Sequence, residues 1–181
     1  AFSSDRDGQC DIWVMDADGT NLRKLTNDPE EDVFTHWSPD GTKIAFVSLS
    51  KEATHIRVLD PDGDNLHTAS TFPAEARPAW FEWSPIGKKI AFSVIYDGEV
   101  AKAELWVVDA DGGNLRRLLS AQYSSRDAIY KPVMFPFFTW NPDGTEIAFV
   151  MEENGQTDIF IVDVDGGNHR NLTNHPAQDT F

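Results

Sequence analysis

The chain has 181 residues, 40% hydrophobic and 25% charged, enough for a domain with a packed core. Its net charge of −15 leaves no basic surface for nucleic acid or an anionic membrane, and favours cationic partners at long range. The single cysteine, Cys10, excludes an intrachain disulfide, and no run approaches the roughly 18 apolar residues of a membrane span. No signal peptide is visible, and Ala1 in place of Met is in keeping with a processed or excised piece.

In chain order, Ala1–Gly8 reads as the end of one strand and its turn, and Cys10 leads into the apolar run Ile12-Trp-Val-Met as a small packing residue. Asp16-Ala-Asp-Gly19 closes that run as a turn with Asx-type side-chain bonds, and Leu22–Leu25 follows as a further strand. Trp37-Ser-Pro-Asp-Gly41 ends the next strand in a type I turn, with Pro at the second position and Gly at the fourth. Lys43-Ile-Ala-Phe-Val-Ser48 is then apolar on both faces, as a strand buried between two layers must be.

Both motifs return. Trp83-Ser-Pro-Ile-Gly87 and Trp140-Asn-Pro-Asp-Gly144 precede Lys89-Ile-Ala-Phe92 and Glu146-Ile-Ala-Phe149. The Asp-x-Asp-Gly turn returns at 60–63, 109–112 and 163–166, each followed two residues after the glycine by Asn65, Asn114 or Asn168, as Asn21 follows Gly19. Strands Leu66–Ala69, Leu115–Leu118 and His169–Leu172 come next. The closing glycines, Gly19, Gly63, Gly112 and Gly166, fall 44, 49 and 54 residues apart, near the period of a four-stranded propeller blade. No long helical stripe interrupts the pattern.

The expected fold is therefore all-β: a β-propeller of four-stranded antiparallel blades, about four in this chain, with units near 1–32, 33–75, 76–130 and 131–181. In each blade strand a ends at the Trp, strand b carries Ile-Ala-Phe, strand c precedes Asp-x-Asp-Gly and strand d follows it. The first unit lacks strand a, so the chain is expected to belong to a larger ring, to close as four blades, or to self-associate through open blade edges.

The Asp-x-Asp-Gly loops have carboxylates spaced for Ca²⁺. Counted from Asp16, however, Gly falls at position 4 and Asn27 at position 12, where an EF-hand needs Gly at 6 and Glu at 12. They are read as turn formers, with no metal site and no cofactor. No Gly-x-Ser-x-Gly elbow or His-Glu-x-x-His motif is present, and the five histidines have no ligand spacing, so no catalytic residue is assigned. Ligand-binding candidates come from two places. His36, Glu82 and Thr139 each precede a strand-a Trp, on the innermost strand of a blade. Tyr123, Arg126 and Tyr130 belong to the largest insertion, Ser120–Phe138, which combines aromatic and cationic side chains as binding hot spots do.

The Trp-Ser-Pro-Asp-Gly, Ile-Ala-Phe and Asp-Gly-x-x-Leu elements resemble the TolB-type, WD-like propeller repeat over nearly the whole chain. That resemblance implies a non-enzymatic scaffold for a protein or peptide partner, in a periplasmic or extracellular setting. It also admits an accessory, substrate-gating propeller of a prolyl-oligopeptidase-like hydrolase whose catalytic domain lies outside this chain, or a polysaccharide lyase propeller, for which no set of channel histidine ligands is found.

Overall fold

The computed structural model describes residues 1–96, 100–124, 138–153 and 155–180. They form fifteen strands and, among the described residues, no helix, hence none long and apolar enough to cross a membrane. Sheet I holds β1 (Phe2–Ser4), β2 (Asp11–Val14) and β3 (Arg23–Lys24). Sheet II holds β4 (Glu31–Trp37), β5 (Ile44–Leu49), β6 (Ala53–Leu59) and β7 (His67–Pro73). Sheet III holds β8 (Ala76–Trp83), β9 (Lys89–Tyr96), β10 (Val100–Asp109) and β11 (Arg116–Ser124). Sheet IV holds β12 (Phe138–Trp140), β13 (Glu146–Glu153), β14 (Gln156–Asp163) and β15 (Arg170–Asn171). Each strand pairs antiparallel with its sequence neighbour, so every sheet is a meander, the blade expected from the repeat.

The turns follow the sequence chemistry. Gly19 N–H donates to Asp16 O at 2.9 Å, and the glycine sits at φ 85°, a region that side-chain-bearing residues enter only under strain. Gly63, Gly112 and Gly166 repeat this at 97°, 89° and 85°. The matched asparagines add a feature that repeat spacing alone does not disclose. Asn21, Asn65, Asn114 and Asn168 are themselves left-handed, at φ 53°, 56°, 52° and 49°. Each donates its side-chain amide at 2.6 Å to the first Asp of its turn, Asp16, Asp60, Asp109 or Asp163. Asparagine tolerates this backbone better than other residues with a side chain, and the amide bond fixes it there.

Between sheets lie three cores. Ile12, Ile44, Phe46 and Leu59 join sheets I and II. Val47, Val58, Phe81, Trp83 and Phe92 are among the residues joining II and III. Leu105, Phe138, Phe149 and Phe160 are among those joining III and IV. Strands β5 and β9, flanked on both sides, are buried on both faces, as the sequence pattern requires. Strand β13 is not: Ile147 and Phe149 are buried against sheet III, while Ala148 and Val150 on the opposite face are half-open. Strand β11 also differs from expectation. It runs to Ser124, so the first residues assigned to the insertion continue a blade strand, paired with β10.

Candidate binding cleft on the first strands

The three residues preceding the strand-a tryptophans occupy one structural position. His36, Glu82 and Thr139 pair with Ala45, Ala91 and Ala148, the alanines of the three Ile-Ala-Phe strands. The tryptophans themselves are inter-blade staples. Trp83 Nε1 donates to His36 O at 3.1 Å, and Trp140 Nε1 donates to Glu82 O at 3.3 Å. Both indoles are buried, whereas Trp37 is 39% exposed. Among the described residues no hydrogen bond or ion pair joins the side chains of His36, Glu82 and Thr139; they share a level of the propeller without forming one cluster.

His36 instead faces the next blade. Its ring lies 4.5 Å from that of Phe81 and 6.1 Å, edge-on, from that of Trp80. These three line an apolar cleft of about 260 Å³ with Phe34, Val47, Pro78 and Ala79. Two irregularities build it. The β4–β5 register breaks between Val33 and His36, and the β8–β9 register breaks between Pro78 and Trp80, so each first strand bulges where it borders the cleft. At the first bulge Phe34 adopts φ 52° and is 59% exposed. Burial holds the His36 imidazole below its ordinary pKa, so near neutrality the cleft carries an uncharged hydrogen-bonding edge in an aromatic wall. On the neighbouring first strand, burial raises the Glu82 carboxyl, whose Oε2 has no hydrogen-bond partner among the described residues.

Of the second candidate group, Tyr123 lies on β11, opposite Ala101 of β10. Arg126 and Tyr130 lie outside the described residues.

The carboxylates of the repeated turns are committed locally. Besides the asparagine bonds, Asp18 and Asp111 accept the backbone N–H groups of Thr20 and Gly113 at 2.9 Å, and Lys43 and Lys89 reach Asp60 and Asp109. Among the described residues no group of three or more His, Cys, Asp and Glu side chains is placed to hold a metal ion. One row does join a hydroxyl, an imidazole and a carboxylate: Thr71 Oγ1 lies 3.0 Å from His55 Nδ1, and His55 Nε2 lies 3.8 Å from Glu30 Oε1. The last separation exceeds a hydrogen bond, and Arg57 holds the same carboxylate at 2.8 Å. The cleft bulges and this row went unseen in the sequence, because each depends on cross-strand register.

The sequence profile described as TolB beta propeller domain matches residues 1–134. The Tol-Pal system protein TolB of Anaeromyxobacter dehalogenans is 33% identical over 173 residues, covering 93% of this chain and 36% of that protein. The chain thus spans about a third of the length of the curated relatives it matches. Among solved structures, the putative TolB from Agrobacterium tumefaciens aligns with a TM-score of 0.62 at 23% identity, covering 93% of this chain and 58% of that one. Dipeptidyl peptidase 4 from Porphyromonas gingivalis aligns at 0.70 with 13% identity, covering 94% of this chain and 31% of that one, a likeness of fold alone. With the family profile covering residues 1–134, most of its length, the chain belongs to the TolB beta propeller domain family.

Proposed function

We propose that the chain is a non-enzymatic propeller scaffold that binds a protein or peptide partner at the cleft between β4 and β8. The observation that supports this is Phe34, a large apolar side chain kept in water on left-handed backbone. Such a conformation costs about 1–3 kcal/mol, and strain of this kind gathers at ligand-binding positions. The bordering residues, Trp80 and His36, offer what a partner's apolar side chain needs: aromatic surface with one uncharged polar contact. The Thr71–His55–Glu30 row does not favour catalysis, since a carboxylate shared with arginine at 3.8 Å from the ring does not orient the imidazole. Substrate gating for an adjoining peptidase-type domain is the second reading; the peptidase likeness supports it at the level of fold.

One relative is named for the Tol-Pal system, which makes Pal from that system the first probe. Calorimetric titration with Pal is expected to show binding that Phe34→Ala weakens at least ten-fold with unchanged circular dichroism. No binding, or binding indifferent to Phe34→Ala, overturns the reading.

A further inference from the structure

One side chain on each of sheets I, II and III reaches across to the next sheet. Arg23, on β3, donates to Pro61 O of sheet II at 2.5 Å. Arg116, on β11, donates to Asp165 O of sheet IV at 2.6 Å. Each stands four residues after the glycine of its own Asp-x-Asp-Gly turn, and each bonds a carbonyl of the next sheet's turn. The residue at this position in sheet II is His67, on β7, whose Nε2 lies 2.8 Å from Ala110 O of the sheet III turn. Two junctions are thus closed by guanidinium groups, which keep their charge at every physiological pH. The junction of sheets II and III is closed by an imidazole, the side chain whose charge ordinarily changes between about pH 5 and 8.

The surroundings of that imidazole select its charge. Nδ1 lies 2.9 Å from Asn65 O, so both ring nitrogens face carbonyl oxygens. A carbonyl oxygen only accepts, and a neutral imidazole has one N–H to donate. In either neutral tautomer one nitrogen lone pair would point at an oxygen lone pair at hydrogen-bond distance; the imidazolium alone donates to both. Both carbonyls are fixed. Asn65 is left-handed, with its amide on Asp60 at 2.6 Å. Ala110 N–H is tied to Lys88 O at 2.9 Å, and the Ala110 turn packs so closely on β7 that a Cβ on Gly112 would lie 3.3 Å from the carbonyl of Thr68, the residue after His67. The charged groups of the two turns are Asp60, Asp62 and Asp64 in sheet II and Asp109 and Asp111 in sheet III. Lys43 of β5 is bound to Asp60, Arg23 arrives at Pro61 from sheet I, Lys89 of β9 is bound to Asp109, and Lys88 precedes it. The Asp60 carboxyl is held below its ordinary range, first by the Lys43 hydrogen bond and then by that of Asn65, and the His67 charge works in the same direction.

We propose that His67 is a proton-operated clasp between sheets II and III: as the imidazolium it bonds Asn65 O and Ala110 O together, and on losing a proton it releases one of them. The imidazolium is the form that the folded structure binds, so the clasp stabilises the fold at acid pH, and that contribution falls away as pH rises through the titration of the ring. The cleft lies on the same pair of sheets but shares no residue with the clasp, so the clasp operates whether or not a partner occupies the cleft.

The test is urea denaturation of the protein, of His67→Arg and of His67→Gln at pH 5 and pH 8. Arginine gives this junction the fixed charge of its neighbours, and glutamine gives it an N–H donor that does not titrate. The folded-to-unfolded ratio of each variant, taken relative to the unaltered protein, is expected to rise at least five-fold from pH 5 to pH 8; taking the ratio cancels the groups that all three proteins share, Asp32 among them. Independently of any folding defect in the variants, nitrogen-15 resonances of the His67 ring in the unaltered protein are expected to show both ring nitrogens protonated at pH 5. A relative stability that stays flat with pH, or a neutral His67 ring at pH 5, overturns the proposal.

Discussion

Asp32 should make the fold less stable at neutral pH than an uncharged residue of the same shape would. Its side chain is fully buried where sheet I meets sheet II, and Oδ2 has no hydrogen-bond partner among the described residues. Burial raises its pKa from 3.8 to about 6; hydrogen bonds from Ser48 and Thr26 pull against that rise, the charge of Asp28 adds to it, and Arg57 opposes it. A carboxyl with a raised pKa binds its proton more tightly folded than unfolded. Its stabilising contribution is therefore complete below pH 3.8 and is lost as pH rises through about 6. At about 1.4 kcal/mol for each pH unit between the two values, the loss is on the order of 3 kcal/mol. Asn in place of Asp32 keeps an oxygen for Ser48 and removes the charge. Urea denaturation of both proteins from pH 4 to pH 8 should show no advantage for Asp32→Asn at pH 4 and a gain of about 2–3 kcal/mol above pH 7. A difference that stays flat with pH would refute the assignment of a buried, titrating carboxyl.

Gly112→Ala should cost about 2–3 kcal/mol and Gly19→Ala about 1 kcal/mol by chemical denaturation. Both glycines have positive φ, but a Cβ on Gly112 would lie 3.3 Å from Thr68 O of the neighbouring sheet while one on Gly19 meets nothing within 4 Å. Equal losses would remove the inter-sheet contact from the explanation. Trp140→Phe should lose about 1 kcal/mol more than Trp37→Phe in the same assay, because the Trp140 indole bonds Glu82 O and the exposed Trp37 indole bonds no described residue. Chelator should leave the thermal midpoint within about a degree, since the turn carboxylates are held by asparagine, lysine and backbone donors; a rise of several degrees with added Ca²⁺ would mean linkage to a bound ion.

By itself, the sequence determined the blade. Turn glycines, Trp-x-Pro-x-Gly and the Ile-Ala-Phe strands act over a few residues; the Asp-x-Asp-Gly turn occurs four times, at spacings of 44, 49 and 54 residues, and the other two elements three times each. Positive φ at Gly19, Gly63, Gly112 and Gly166 could be read directly, because that backbone is a local choice. His36, Glu82 and Thr139 could be placed at one level of the propeller for the same reason, as each is counted from a Trp. The tertiary structure alone decided what those positions touch. The Phe34 and Ala79 bulges turn a regular ladder into a cleft, and a register shift has no sequence period to betray it. The bonds from Trp83 and Trp140 to His36 O and Glu82 O, and from Arg23 to Pro61 O, join residues 47, 58 and 38 positions apart. Whether Ala148 and Val150 are as buried as Ala45 and Val47 depends on which sheet lies opposite, and identical repeat positions carry no record of that.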